Sequence, residues 1–189
     1  MQRVLAVFVI VFTLLALAPG VAAASPRENF ESIGFDAFSS VCGQQTCTDT
    51  SVFADQQTTA SGETFAFACV DQFTFNIRNG RGTGVSGCSE TPDITVAGDL
   101  SSASLAPTQF EVCDAHHCST ITASAELEGT GQTSTFRGRF TERDGTCTFT
   151  FAESGQRQSA AGTITFDGAT VDVEGSIRSS RTTVTTKCR

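Results

Sequence analysis

The dominant regularity along the chain has a period of two. Ile121, Ala123, Ala125 and Leu127 alternate with polar residues, as do Phe136, Gly138 and Phe140, and then Cys147, Phe149 and Phe151. Ile164 and Phe166 continue the pattern, followed by Val171, Val173, Gly175 and Ile177. Upstream it recurs in Phe65-x-Phe67, in Phe73-x-Phe75-x-Ile77 and in Ile94-x-Val96-x-Gly98-x-Leu100. Successive side chains of a strand point to opposite faces, so the pattern predicts strands with one buried apolar face. No helical apolar stripe occurs beyond the N-terminal segment, and at most a short turn is expected between Asn29 and Phe38. The expectation is an all-β, antiparallel fold.

Turn chemistry supplies a register. Asp144-Gly145 and Asp167-Gly168 are hairpin dipeptides, because a type I′ turn needs positive φ at both central residues. The second sets Ile164 opposite Val171, and the first sets Phe140 opposite Phe149. Both pairings keep apolar partners on one face, which a one-residue slip would destroy. Asn79-Gly80 is a third signal, but its register would oppose Arg78 and Arg81. From Ser119 to the C-terminus a meander of about six strands is expected, with Thr148, Thr150, Thr163 and Thr165 on its outer face. If Leu127 faces Phe136, Glu126 forms a cross-strand ion pair with Arg137.

The pattern is also duplicated. VCGQQTC (41–47), Cys69 and ITVAGDLSS (94–102) are matched by VCDAHHC (112–118), Cys147 and VDVEGSIRSS (171–180), at offsets of 71, 78 and 77 residues. Cys88 and Cys188 have no counterpart at those offsets. Two pseudo-repeats, roughly 35–105 and 106–189, would each expose an apolar face to the other, packing as a sandwich or a barrel.

The first 24 residues stand apart from this pattern. Arg3, the apolar run Val4 to Leu17, Pro19-Gly20 and Ala22-Ala23-Ala24 have the order of a signal peptide cleaved after Ala24. The run is shorter than the roughly 20 residues a membrane span needs. A single β domain from 25 to 189, secreted or periplasmic and not inserted in a membrane, is therefore expected. Its eight cysteines, Cys42, Cys47, Cys69, Cys88, Cys113, Cys118, Cys147 and Cys188, read as a disulfide framework in that context.

Composition narrows the function. The formal net charge is −8 with acids scattered along the chain, which argues against nucleic acid, since phosphate binding needs concentrated Lys and Arg. Sixteen Phe with no Trp or Tyr lower the case for a sugar-binding face and for a high-affinity protein interface, where Trp and Tyr are the usual anchors, without excluding either.

CDAHHC, residues 113–118, offers the densest chemistry. Thiolates and imidazoles ligate zinc, but neighbouring histidines on extended backbone project to opposite sides, and the matching CGQQTC lacks histidine altogether. A disulfide-closed loop is the economical reading, with His116 or His117 as weak single ligands for zinc, copper or nickel. Cysteine catalysis would need an unbridged thiolate, and no G-x-S-x-G elbow supports a serine nucleophile. Gly82-Thr83-Gly84-Val85-Ser86-Gly87 fits G-x-G-x-x-G, but a strand rather than a helix should follow, so it reads as a glycine-rich turn. Glu126 with Glu128, and Asp172 with Glu174, read as outward, solvated acids rather than a glycosidase pair. The expected function is a non-catalytic extracellular binding or structural module needing no cofactor. Alternatives are a barrel carrying a small apolar ligand, and a metal-binding protein or enzyme using the Cys113–Cys118 loop.

Overall fold

A computed structural model describes residues 27–114 and 117–188. The expected signal segment at 1–24 and His116 lie outside the described residues. Ten antiparallel strands make up the rest: β1 (Arg27–Cys42), β2 (Thr46–Thr59), β3 (Thr64–Asn76), β4 (Gly82–Ser89), β5 (Ile94–Val96), β6 (Ser102–Cys113), β7 (Cys118–Gly129), β8 (Ser134–Asp144), β9 (Cys147–Phe166) and β10 (Ala169–Cys188).

The ladders close on themselves in the order β10-β1-β2-β3-β4-β6-β7-β9 and back to β10. The fold is thus barrel-like, with hydrogen-bonded edges consumed around a ring. Its thinnest seam joins β4 to β6 through the single pair Ser86↔Cys113. The backbones come so close there that a Cβ on Gly87 would lie 2.1 Å from the Glu111 carbonyl oxygen.

Of the two longest strands, β9 has three ladder partners and β10 has two. β9 pairs with β7 only from Ala160 to Phe166, and with β8 from Cys147 to Arg157. β10 follows β9 along its full length and pairs on its other edge with β1. β8, the halves of β9 and β10 beside it, and the start of β1 therefore extend past the ring as a four-stranded flap. Because these strands run on without a break, four strands rather than six follow Ser119. β7 and β8 share no ladder, so Glu126 faces Thr163 and Arg137 faces Ser154 instead of each other.

The ring interior is filled by one apolar cluster. Phe35, Phe110, Leu105, Ile164, Ile177, Val52, Val70 and Val112 are essentially inaccessible, and Ala37, Ala54, Ala68, Ala123 and Ala125 fill the narrower levels between them. An eight-stranded ring leaves room for little more than its own side chains. That size limit reverses the expectation for β3. Ala68 and Val70 point inward, and Phe65, Phe67, Phe73 and Phe75 take the other face, with Phe65 56% and Phe73 43% exposed. Both parities of β3 are apolar, and volume, not hydrophobicity, selects the inner one.

Other differences are local. Asn29–Phe38 is not a turn but part of β1, which buries Phe35 and Ala37 inward and Phe30 on the opposite face. Ile94 to Leu100 keeps only three strand residues before a turn in which Leu100 adopts φ 62°. The run from Gly82 forms strand β4, not a turn, and the β3–β4 connection opposes Phe75 and Gly82. At Asp167-Gly168 both residues have positive φ and Ile164 faces Val171 as expected. At the other hairpin Gly145 is the first loop residue, so Asp144 faces Cys147 and Phe140 faces Phe151 rather than Phe149. The shift is two residues, which preserves the face of every side chain.

Candidate functional site

All eight cysteines are paired: Cys42–Cys47, Cys69–Cys88, Cys113–Cys118 and Cys147–Cys188. Each bridge joins residues directly opposite in a ladder. Strand parity puts all four on the outer face, as expected where Ala and Val already fill the inside. No bridge crosses between the halves of the chain, and Cys88 and Cys188 bond the cysteines at the two matched positions, Cys69 and Cys147. Four disulfides suit an oxidising, extracellular-type compartment. No helix among the described residues is long and apolar enough to cross a membrane.

The CDAHHC loop is the β6–β7 hairpin, stapled at its base by Cys113–Cys118. The Asp114 amide donates to the His117 carbonyl oxygen at 2.9 Å, and the His117 amide donates to Asp114 Oδ1 at 2.7 Å. The Glu111 carboxylate and the two sulfurs lie within 4.8 Å of one another. Those sulfurs are bonded to each other, so the group offers a disulfide and one carboxylate rather than two thiolates. The CGQQTC hairpin repeats the architecture, with the Gly43 amide donating to the Thr46 carbonyl oxygen at 2.8 Å. His117 is exposed.

The carboxylate pairs lie on the outer face, where Glu126 and Asp172 flank Thr163, and Glu128 and Glu174 flank Ala161. Each acid is thus separated from its partner across β9 by about 10 Å of sheet. A second outer cluster is covered. Asp55 is 2% exposed and accepts from Ser32 Oγ at 2.7 Å, Gln57 Nε2 at 3.0 Å and the Arg178 guanidinium at 3.4 Å. Arg178 reaches it over Gly34, where a Cβ would come within 2.7 Å of Asp55 Oδ1, and also lies over the Phe53 ring at 4.7 Å. Those contacts bind β10, β1 and β2 together.

The flap carries a concentration of basic residues, assembled by register. One ladder row runs Arg143–Thr148–Lys187, the next Thr141–Thr150–Thr185–Arg27, and another Arg137–Ser154–Arg181–Glu31. Arg139, Ala152, Thr183 and Asn29 form the row between the last two. All of these side chains share one face, and it is the continuation of the face that lines the ring interior. Contacts within rows agree with this: Thr183 Oγ1 donates to Asn29 Oδ1 at 2.9 Å, and Arg181 pairs with Glu31. Six basic residues therefore meet one acid.

The opposite face of the same four strands is apolar and acidic. Phe30, Phe151 and Val184 form a small separate core there, with Phe149 against it. Phe140 stacks on Phe151 with ring centroids 4.4 Å apart. Glu28, Glu142, Asp144 and Glu153 share this side, and Cys147–Cys188 staples the far end of the β9–β10 ladder. Elsewhere Arg157 and Arg178 are tied to Asp36 and Asp55. Among the described residues, Arg27, Arg137, Arg139, Arg143 and Lys187 have no ion-pair partner.

Sequence reasoning missed this face. The alternation R-x-R-x-T-x-R at 137–143 was a visible signal, but Arg27, Arg181 and Lys187 join it only through pairings between distant strands. A shallow concavity lined by Asn29, Glu31, Thr58, Thr59, Ala60 and Arg181 adjoins it where β2 meets the flap. Compared with known proteins, the chain matches no family model, no curated protein and no solved structure.

Proposed function

We propose that this chain is a non-catalytic, exported binding module whose recognition surface is the inward face of the flap. The observation that carries this reading is the segregation of charge: basic residues collect on one solvent-facing side of a stapled sheet in an acidic molecule. The remainder of the chain serves as a rigid support. The interior is packed with Phe, Leu, Ile, Val and Ala, which speaks against a carried apolar ligand, and the bridging of Cys113 to Cys118 speaks against thiolate chemistry at the histidine loop. The N-terminal apolar segment and the bridges support export.

The test uses labelled protein and washed envelope or matrix material from its host. Retention should saturate, be displaced by unlabelled protein, and drop when Arg137, Arg139 and Arg143 are changed together to Gln. Retention that does not saturate, or that ignores this substitution, overturns the assignment of the flap.

A further inference from the structure

We infer that the flap face binds a linear polyanion of the carboxylated or sulfated polysaccharide class. This rests on the flap being the recognition surface and adds the chemistry of what it takes. The positive groups do not converge. Arg137 and Arg139 are about 7 Å apart along β8, Arg143 lies about 13 Å beyond Arg139, and Lys187 sits across one strand from Arg143 at about 10 Å. A strip of that size suits an extended ligand with repeated charges better than a single small anion.

Guanidinium groups hold oxyanions through paired N–H donors. The ground between them is laid with Thr141, Thr148, Thr150, Thr183 and Thr185, whose hydroxyls both donate and accept, as a hydroxyl-rich chain requires. Single-stranded nucleic acid fits less well, because its proteins stack bases on aromatic rings, and here Phe140 and Phe149 occupy the other side of the sheet. The same separation disfavours a lipid surface, since apolar anchors and basic residues face opposite ways.

The experiment measures binding of the purified, disulfide-bonded protein to a heparin oligosaccharide, dextran sulfate and alginate by calorimetry across a salt series. Saturable binding that weakens with salt is expected for at least one probe. Arg137→Gln/Arg139→Gln/Arg143→Gln should weaken it roughly 100-fold, and Arg27→Gln/Lys187→Gln, on other strands of the same face, about 30-fold. Arg78→Gln/Arg81→Gln, two exposed arginines in the β3–β4 loop, should stay within about twofold, because binding is confined to the flap. Thermal melts of all three variants keep folding separate from binding. Equal losses in the loop variant overturn the inference, as does tighter capture of a DNA duplex or of phosphatidylglycerol vesicles. If all three polysaccharides fail while retention on host material still depends on the β8 arginines, the ligand class is wrong and the flap assignment survives.

Discussion

β9 passes through two environments without changing its geometry. From Ala160 to Phe166 its even-numbered side chains face the ring interior, and Ile164 is fully buried. From Cys147 to Arg157 the same face looks onto solvent and presents Thr148, Thr150, Ala152 and Ser154 between arginines and a lysine. What differs is the wall opposite. β7 leaves β9 at Ala160 and β8 takes over its edge, so the ring gives way to an open sheet. One continuous strand face can thus be core at one end and binding surface at the other, and the residues along it change from apolar to polar at the exchange of partner.

Removing matched aromatics should expose the contrast most strongly. Phe35→Ala in the ring leaves a closed cavity and should cost about 3–5 kcal/mol. Phe140→Ala on the flap, where the residue is 53% exposed but stacked on Phe151, should cost only about 1–2 kcal/mol. Urea unfolding of both variants measures the difference, and equal losses would mean that flap and ring are not distinct environments.

The staples offer a second contrast. Replacing Cys147 and Cys188 by Ser opens a loop with a sequence separation of 41, against 5 for Cys113–Cys118. Loop-closure entropy predicts a loss of about 4 kcal/mol for the first and about 2 for the second. Hydrogen exchange sharpens the test, since loss of Cys147–Cys188 should loosen the amides of the β8–β9–β10 flap before those of the ring.

The smallest expected effect concerns Asp71, on the outer face of β3. Burial pushes its carboxyl above the ordinary value, and a hydrogen bond from Ser51 opposes this. The native state then holds the proton more tightly than the unfolded chain does, so stability should decline as pH rises through the interval above 3.8. Asp71→Asn should flatten that portion of the pH–stability curve. An unchanged slope would show that the carboxyl does not contribute.

Strands, hairpins and the outward reach of Thr163 and Thr165 follow from local pattern. Thr148 and Thr150, expected on the same outer face, lie instead on the inward face of the flap, because the apolar positions of β9 change parity between Phe149-x-Phe151 and Ile164-x-Phe166. Asp167-Gly168 set its register correctly because both residues accept positive φ. Asp144-Gly145 missed by two residues because only the glycine entered the loop, a choice between neighbouring turn types that two residues of sequence do not discriminate. At the candidate site, comparison with CGQQTC favoured a structural role for the cysteines of CDAHHC over metal or catalysis, and the structure supplied the pairing, Cys113 with Cys118. The flap was not, because its six basic residues come from three separate parts of the chain.

Amino-acid order therefore dictated an antiparallel β chain, most of its hairpins and the residues available for bridges, since alternation, turn propensity and cysteine spacing act over a few residues. Tertiary structure dictated which face of β3 turns inward, where β9 exchanges β7 for β8, and that Arg27, Arg181 and Lys187 meet the arginines of β8. The physical reason is the closure of the ring. It limits interior volume, so small side chains displace phenylalanine from the inside. It also fixes long-range registers, such as β1 with β10, that no local rule specifies.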